Sequence, residues 1–186
     1  MLDSRLSRRQ ILRMGGLAAL ACLVPASVRA AAGRASGSFA PTRLSFFNTH
    51  TSERLESEYW AGGDYRIEEL HRINHILRDA RTGETKEMDI KLIDLLHRIR
   101  QDLGAPNDFH IICGYRSPET NSALRRKSSG VAANSLHMTG QAVDIRLPGV
   151  PLASLRRAAL ALKAGGVGYY PQSDFVHVDV GPVRTW

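Results

Sequence analysis

Cysteine is scarce in this chain, with two in 186 residues, and aromatics make up only 6%. Cys22 falls in an apolar run near the amino terminus, so Cys113 alone is left for the body of the chain, which excludes a disulfide framework. Few aromatics, none interleaved with a basic stretch, exclude a base-stacking surface for nucleic acid. The net charge of +7 argues the same way, because Arg5, Arg8, Arg9, Arg13 and Arg29 against Asp3 carry more than half of it. No apolar run approaches the ~20 residues of a membrane span, and no internal repeat is evident. His71 and His75 stand four apart, but Arg72 follows the first where a helical zinc motif needs glutamate. These two, with His50, His97 and His110, read as ordinary residues. Gly165-Gly-Val-Gly168 lacks the strand, loop and helix order of a phosphate cradle and reads as a tight turn returning the last strand. The run Leu124-Arg-Arg-Lys-Ser-Ser-Gly130 reads as a solvated helix end.

What is present begins with a leader. Ser7-Arg8-Arg9-Gln10-Ile11-Leu12-Arg13 precedes the apolar residues Met14 to Val24, and Pro25-Ala-Ser-Val-Arg-Ala30 offers a small-residue cleavage site. The paired arginines resemble a twin-arginine export signal. Residues 1–30 are therefore expected to be a removed leader that engages the twin-arginine export machinery and delivers the protein to the periplasm, with no stable membrane span after processing. An ordinary secretory leader is the alternative. Cys22 lacks the leucine three positions earlier that lipid attachment prefers. Residues 31–41, rich in alanine, glycine and serine, are expected to form a flexible tether. Residues 42–186 suffice for one domain with a real core.

Within that domain, the stretches from Arg43 and from Arg54 predict a hairpin turning about His50-Thr51-Ser52 and ending at Gly62-Gly63. Leu70, Ile73, Ile76 and Leu77 have helical spacing, with Gly83 suited to the end. Asp89 is placed to cap a second helix whose stripe is Leu92, Leu95, Leu96, Ile99 and Leu103, closing at Gly104. A buried strand from Phe109, a helix near Pro118, a strand through Asp144, a helix from Leu152 and a strand through His177 complete an α+β fold: a small antiparallel sheet with flanking helices. Cys113, after Phe109-His-Ile-Ile, reads as a structural thiol.

The chemistry-bearing residues are gathered late. Ser135-Leu-His137-Met-Thr-Gly140-Gln-Ala-Val-Asp144 places a histidine in a polar loop before an alternating segment, in which Asp144 points away from Val143 and Ile145. In Asp174-Phe-Val-His177-Val-Asp179-Val, His177 and Asp179 share a face opposite Val176, Val178 and Val180. Two imidazoles and a carboxylate make the three-ligand set of a catalytic zinc with a fourth position open.

The His137 to Asp144 wording, with a later histidine and acid, resembles the zinc D-Ala-D-Ala peptidases and endolysin L,D-peptidases, a superfamily sharing a hedgehog-like fold. Leu44-Ser-Phe-Phe-Asn-Thr-His-Thr, Gly114-Tyr-Arg-Ser117, Gly165-Gly-Val-Gly-Tyr-Tyr-Pro171 and Val183-Arg-Thr-Trp186 are more specifically similar to the murein endopeptidase K-like zinc peptidases. That resemblance spans about residues 42–186 and implies a zinc peptidase domain. It implies one Zn2+ held by His137, Asp144 and His177, and peptidoglycan stem peptides as substrate, with links between two diaminopimelate residues a favoured target. Arg116 matches an arginine that faces substrate, where a guanidinium clamps a carboxylate or stabilises an oxyanion. Ser135 either hydrogen-bonds near the site or shapes the loop.

Metal-assisted hydrolysis also needs a proton acceptor. Asp174, three before His177, is the expected base. Asp179, on the His177 face, is expected to orient the imidazole. Two other readings fit the same residues: a zinc-containing peptidoglycan-binding module without turnover, and a D,D- or L,D-carboxypeptidase.

Overall fold

The computed structural model describes residues 41–128 and 130–186; the leader with its paired arginines, Cys22 and the tether up to Ala40 lie outside the described residues. The elements run β1 (Thr42–Asn48), β2 (Arg54–Ala61), β3 (Asp64–Tyr65), α1 (Ile67–Ile76), α2 (Ile90–Leu103), β4 (Phe109–Cys113), α3 (Pro118–Arg125), a 3-10 turn (Leu136–Thr139), β5 (Ala142–Arg146), α4 (Leu152–Ala161), β6 (Gly166–Tyr170), β7 (Phe175–Asp179) and β8 (Arg184–Thr185). The fold is α+β, as expected. One eight-stranded sheet has the order β3-β2-β1-β4-β5-β7-β6-β8. It is antiparallel except where β1 meets β4 and β6 meets β8.

Alternation decides which side of the sheet is core. Leu44 and Phe46 of β1, Phe109 and Ile111 of β4, Val143 and Ile145 of β5, and Val176 and Val178 of β7 are all essentially inaccessible and join one cluster. Against this cluster α1 packs on β2, α2 on β1 and α4, and α4 on β6 and β7. The expected stripe of α2 is the buried one, with Leu92, Ile93, Leu95, Leu96 and Ile99 inward. Asp89 caps it by accepting from the Lys91 amide, and Gly104 ends it in the left-handed region. Helix α1 departs from expectation: it stops at Ile76, before Gly83, because Leu77 leaves the helix and gives its carbonyl to the Tyr115 amide at 2.7 Å. Gly166-Val-Gly168 also differs, lying within β6 and not in a turn. No helix among the described residues is long and apolar enough to cross a membrane.

Candidate metal centre

The residues that alternate away from the core meet on the other side of the sheet. Asp144 on β5 pairs directly with His177 on β7. His177 also faces Gly168 on β6. His137 reaches them from the 3-10 turn, which Ser135 opens by accepting from the His137 amide at 3.4 Å and Gly140 closes at φ 72°. A side chain at Gly140 would also run into the Glu87 carbonyl, 2.3 Å from where its Cβ would sit. Ser135 therefore shapes the turn, and it lines the cleft as well.

The tautomers follow from the outer partners. His137 Nδ1 stands 2.8 Å from the Gly114 carbonyl, which only accepts, so Nδ1 carries the hydrogen and Nε2 a lone pair. His177 Nε2 stands 3.0 Å from Asp179 Oδ2, so Nε2 donates and Nδ1 keeps its lone pair. The two free nitrogens are 3.2 Å apart. Asp144 Oδ1 lies 2.8 Å from His177 Nδ1 and 3.3 Å from His137 Nε2. With those tautomers three lone pairs point into one space, an arrangement that suits a cation. Ligands ~2.0–2.1 Å from a tetrahedral zinc stand about 3.3 Å from each other, so the donor set fits that ion.

The electrostatics draw positive charge, proton or metal, into the same space. Burial pushes His137 down, but the adjoining Asp144 carboxylate raises it well above the ordinary imidazole value. Burial pushes Asp144 up, yet His137 and His177 hold it well below the carboxylate range. Asp179 is completely buried; against that burial, His177, the Gly166 and Gly181 amides and the Arg184 guanidinium keep it ionised. The pocket is polarised to hold positive charge. It opens into a cleft of about 530 Å³ whose walls include Arg116, Tyr170, Phe175, Arg184 and Trp186.

Residues 36–186 match the family described as peptidoglycan L,D-endopeptidase MepK. This chain belongs to that family. A protein of that name from Escherichia coli (strain K12) is 42% identical over 180 residues, covering 97% of each chain. The one from Shigella flexneri is likewise 42% identical over 180 residues, again 97% of each chain. A probable peptidoglycan L,D-endopeptidase MepK from Haemophilus influenzae is 41% identical over 181 residues, 97% of this chain and 95% of its own.

Arg116 enters the cleft from the loop before α3. Its Nη1 donates to Asn121 Oδ1 at 3.4 Å, its Nη2 to Cys113 Sγ at 3.4 Å, and it stands 3.8 Å from Asp144 Oδ2. Its Nε is buried and has no hydrogen-bond partner among the described residues. Asp174 is not brought to the cleft. It occupies a left-handed position, φ 53°, just before β7, accepts from Arg146 Nη1 at 3.0 Å, and is 62% exposed. It borders a separate hollow with His110 and Pro148, so the expected base faces away from the chemistry. Among the described residues lining the cleft, the only carboxylate is Asp144.

Cys113 was not expected in the site. A register shift between Ile111 and Cys113 sets Cys113 opposite Asp144. Its sulfur joins the His137 and Asp144 donors within 4.8 Å. It nevertheless accepts an Arg116 N–H and lies 3.7 Å from the Gly114 carbonyl, whereas the donors of His137, Asp144 and His177 stand 2.8 to 3.3 Å apart and form the closer set. Tyr170, Arg184 and Trp186 were also missed as individual site residues. Their only signal was the resemblance of the segments that contain them.

Proposed function

We propose that this protein is a zinc-dependent endopeptidase that hydrolyses peptide cross-links of peptidoglycan, with one Zn2+ held by His137, Asp144 and His177. The convergence of two imidazole nitrogens and a carboxylate oxygen within 3.3 Å of one another at a cleft floor carries this reading. Zinc, when bound, polarises the scissile carbonyl and lowers the pKa of water. The rest falls to the chain. Gly114 and Asp179 lock the two imidazole tautomers, so that both free nitrogens, beside Asp144, would hold the ion. Arg116, held by Asn121 and Cys113 at the cleft wall, offers its terminal N–H groups to a substrate carbonyl or carboxylate. The relatives are named for an L,D bond, so links between two diaminopimelate residues are the first to examine.

The test is digestion of purified sacculi by the protein, with and without chelator and zinc add-back, and muropeptides read by mass spectrometry. Zinc-dependent conversion of cross-linked dimers to monomers is expected. Trimming of single stems would make it a carboxypeptidase, and zinc binding with unchanged muropeptides a binding module. We also propose export to the periplasm through the twin-arginine machinery, on the strength of Arg8-Arg9 before the apolar run. Replacing both arginines by lysine should leave the precursor in the cytoplasm; normal export of that variant would indicate an ordinary secretory leader.

A further inference from the structure

Strand β8 runs beside β6 and carries Arg184 and, two positions on, Trp186 toward His177. Main-chain bonds hold it there: the Trp186 amide donates to the Val167 carbonyl at 3.3 Å, and the Tyr169 amide donates to Trp186 at 3.1 Å. Arg184 grips Asp179 with both terminal nitrogens, Nη2 to Oδ2 at 2.7 Å and Nη1 to Oδ1 at 3.2 Å. The same Oδ2 receives His177 Nε2–H. The Trp186 indole lies against the His177 ring, 5.3 Å between centroids, and its N–H donates to the Tyr170 hydroxyl at 2.7 Å. Two glycines of β6 make the space. A Cβ on Gly166 would stand 2.5 Å from Asp179 Oδ2 and 2.6 Å from Arg184 Nη1, and one on Gly168 would stand 2.7 Å from the indole.

We infer that Arg184 and Trp186 are positioning residues for His177. Arg184 fixes the carboxylate that receives one ring nitrogen, and Trp186 packs on the ring so that the other nitrogen faces His137 and Asp144, where a metal would be held. This rests on the metal reading above. The half-exposed state of both side chains, 42% for the Arg184 side chain and 48% for Trp186, separates this role from core packing.

The experiment compares zinc affinity, by competition with a chromophoric chelator, and the visible spectrum of the cobalt(II)-loaded protein. The variants are Arg184→Met, Trp186→Ala, Trp186→Phe and Gly168→Ala. Loss of an outer partner of a ligating histidine typically weakens metal binding ~10–100-fold. Arg184→Met and Trp186→Ala are expected to weaken zinc by at least ~10-fold and shift the cobalt bands while the metal-free thermal midpoint holds. Trp186→Phe should restore most of the affinity, and Gly168→Ala, which displaces the indole, should reproduce Trp186→Ala. Affinities within twofold of the parent, or losses that merely track metal-free stability, overturn the inference. A parent protein that takes no zinc overturns the metal reading and this inference with it.

Discussion

Asp174 and Asp179 sit on the same short stretch of chain and carry the same group, yet their surroundings separate them. Asp179 has lost all contact with water and is ionised only because His177, Arg184 and two backbone amides surround it. Asp174 keeps its water and meets a surface arginine. An exposed ion pair contributes ~0–1 kcal/mol, so Asp174→Asn should leave muropeptide release within about twofold of the parent. A loss of turnover with zinc retained would return the base to Asp174. His177→Ala is the contrasting case. It should remove most bound zinc and cut turnover by at least ~100-fold together, because a two-ligand site binds weakly. Full zinc load measured by metal analysis would show that His177 is not a ligand.

At the level of elements, the departures from expectation share one cause: a backbone partner distant in sequence overrides the local pattern. Helix α1 ends early because Leu77 pairs with Tyr115. Cys113 leaves the core pattern because of the irregularity in β4. The start of α3, which follows directly on Arg116, depends on Asp79. That buried carboxylate accepts from the Ser117 amide at 2.8 Å and the Arg81 amide at 2.9 Å. Burial would raise it, but these amides with the Thr120 and Ser117 hydroxyls bring it down to about 2. A carboxylate with a depressed folded value stabilises the protein above the unfolded value near 4, and that contribution is lost as pH falls toward 2. Asp79→Asn should therefore cost about 2 kcal/mol or slightly more at pH 7 and little at pH 2. Urea denaturation at both pH values checks this; an equal loss at both would show that packing, not ionisation, is the contribution.

Over the whole molecule, one sheet serves two purposes. Its helix-covered face supplies the hydrophobic core, and the opposite face of β5 and β7 supplies Asp144 and His177, two of the three proposed metal donors. Phe109, fully buried at the middle of the sheet, belongs to the first purpose, and Phe109→Ala should cost about 3–5 kcal/mol. Metal binding couples the two purposes, because a ligand that binds only the folded state adds RT ln(1 + [L]/Kd) to stability. Zinc at 100 times its Kd contributes about 2.7 kcal/mol, so chelation should lower the thermal midpoint by about 5–10 °C, with zinc add-back restoring it. The shift should shrink as pH falls, because protons compete with the metal for the His137 imidazole, whose hold on a proton the Asp144 carboxylate strengthens. An unchanged midpoint at neutral pH would mean that the three donors bind no ion.

The chain by itself determined the strands of the site and the faces on which Asp144, His177 and Asp179 stand, because alternation with Val143, Ile145, Val176 and Val178 is a local property of a strand. It determined the caps of α2 in the same way, since Asp89 and Gly104 act within one turn of their own position. Tertiary structure alone decided which polar residues reach one another. The turn of Cys113 out of the core pattern toward Asp144, the outward turn of Asp174, the tautomers set by Gly114 and Asp179, and the seat of Trp186 over Gly168 all depend on partners brought together across the sheet. Local periodicity specifies a face, whereas convergence on a common point depends on strand order and register, which are set by the packing of the whole chain.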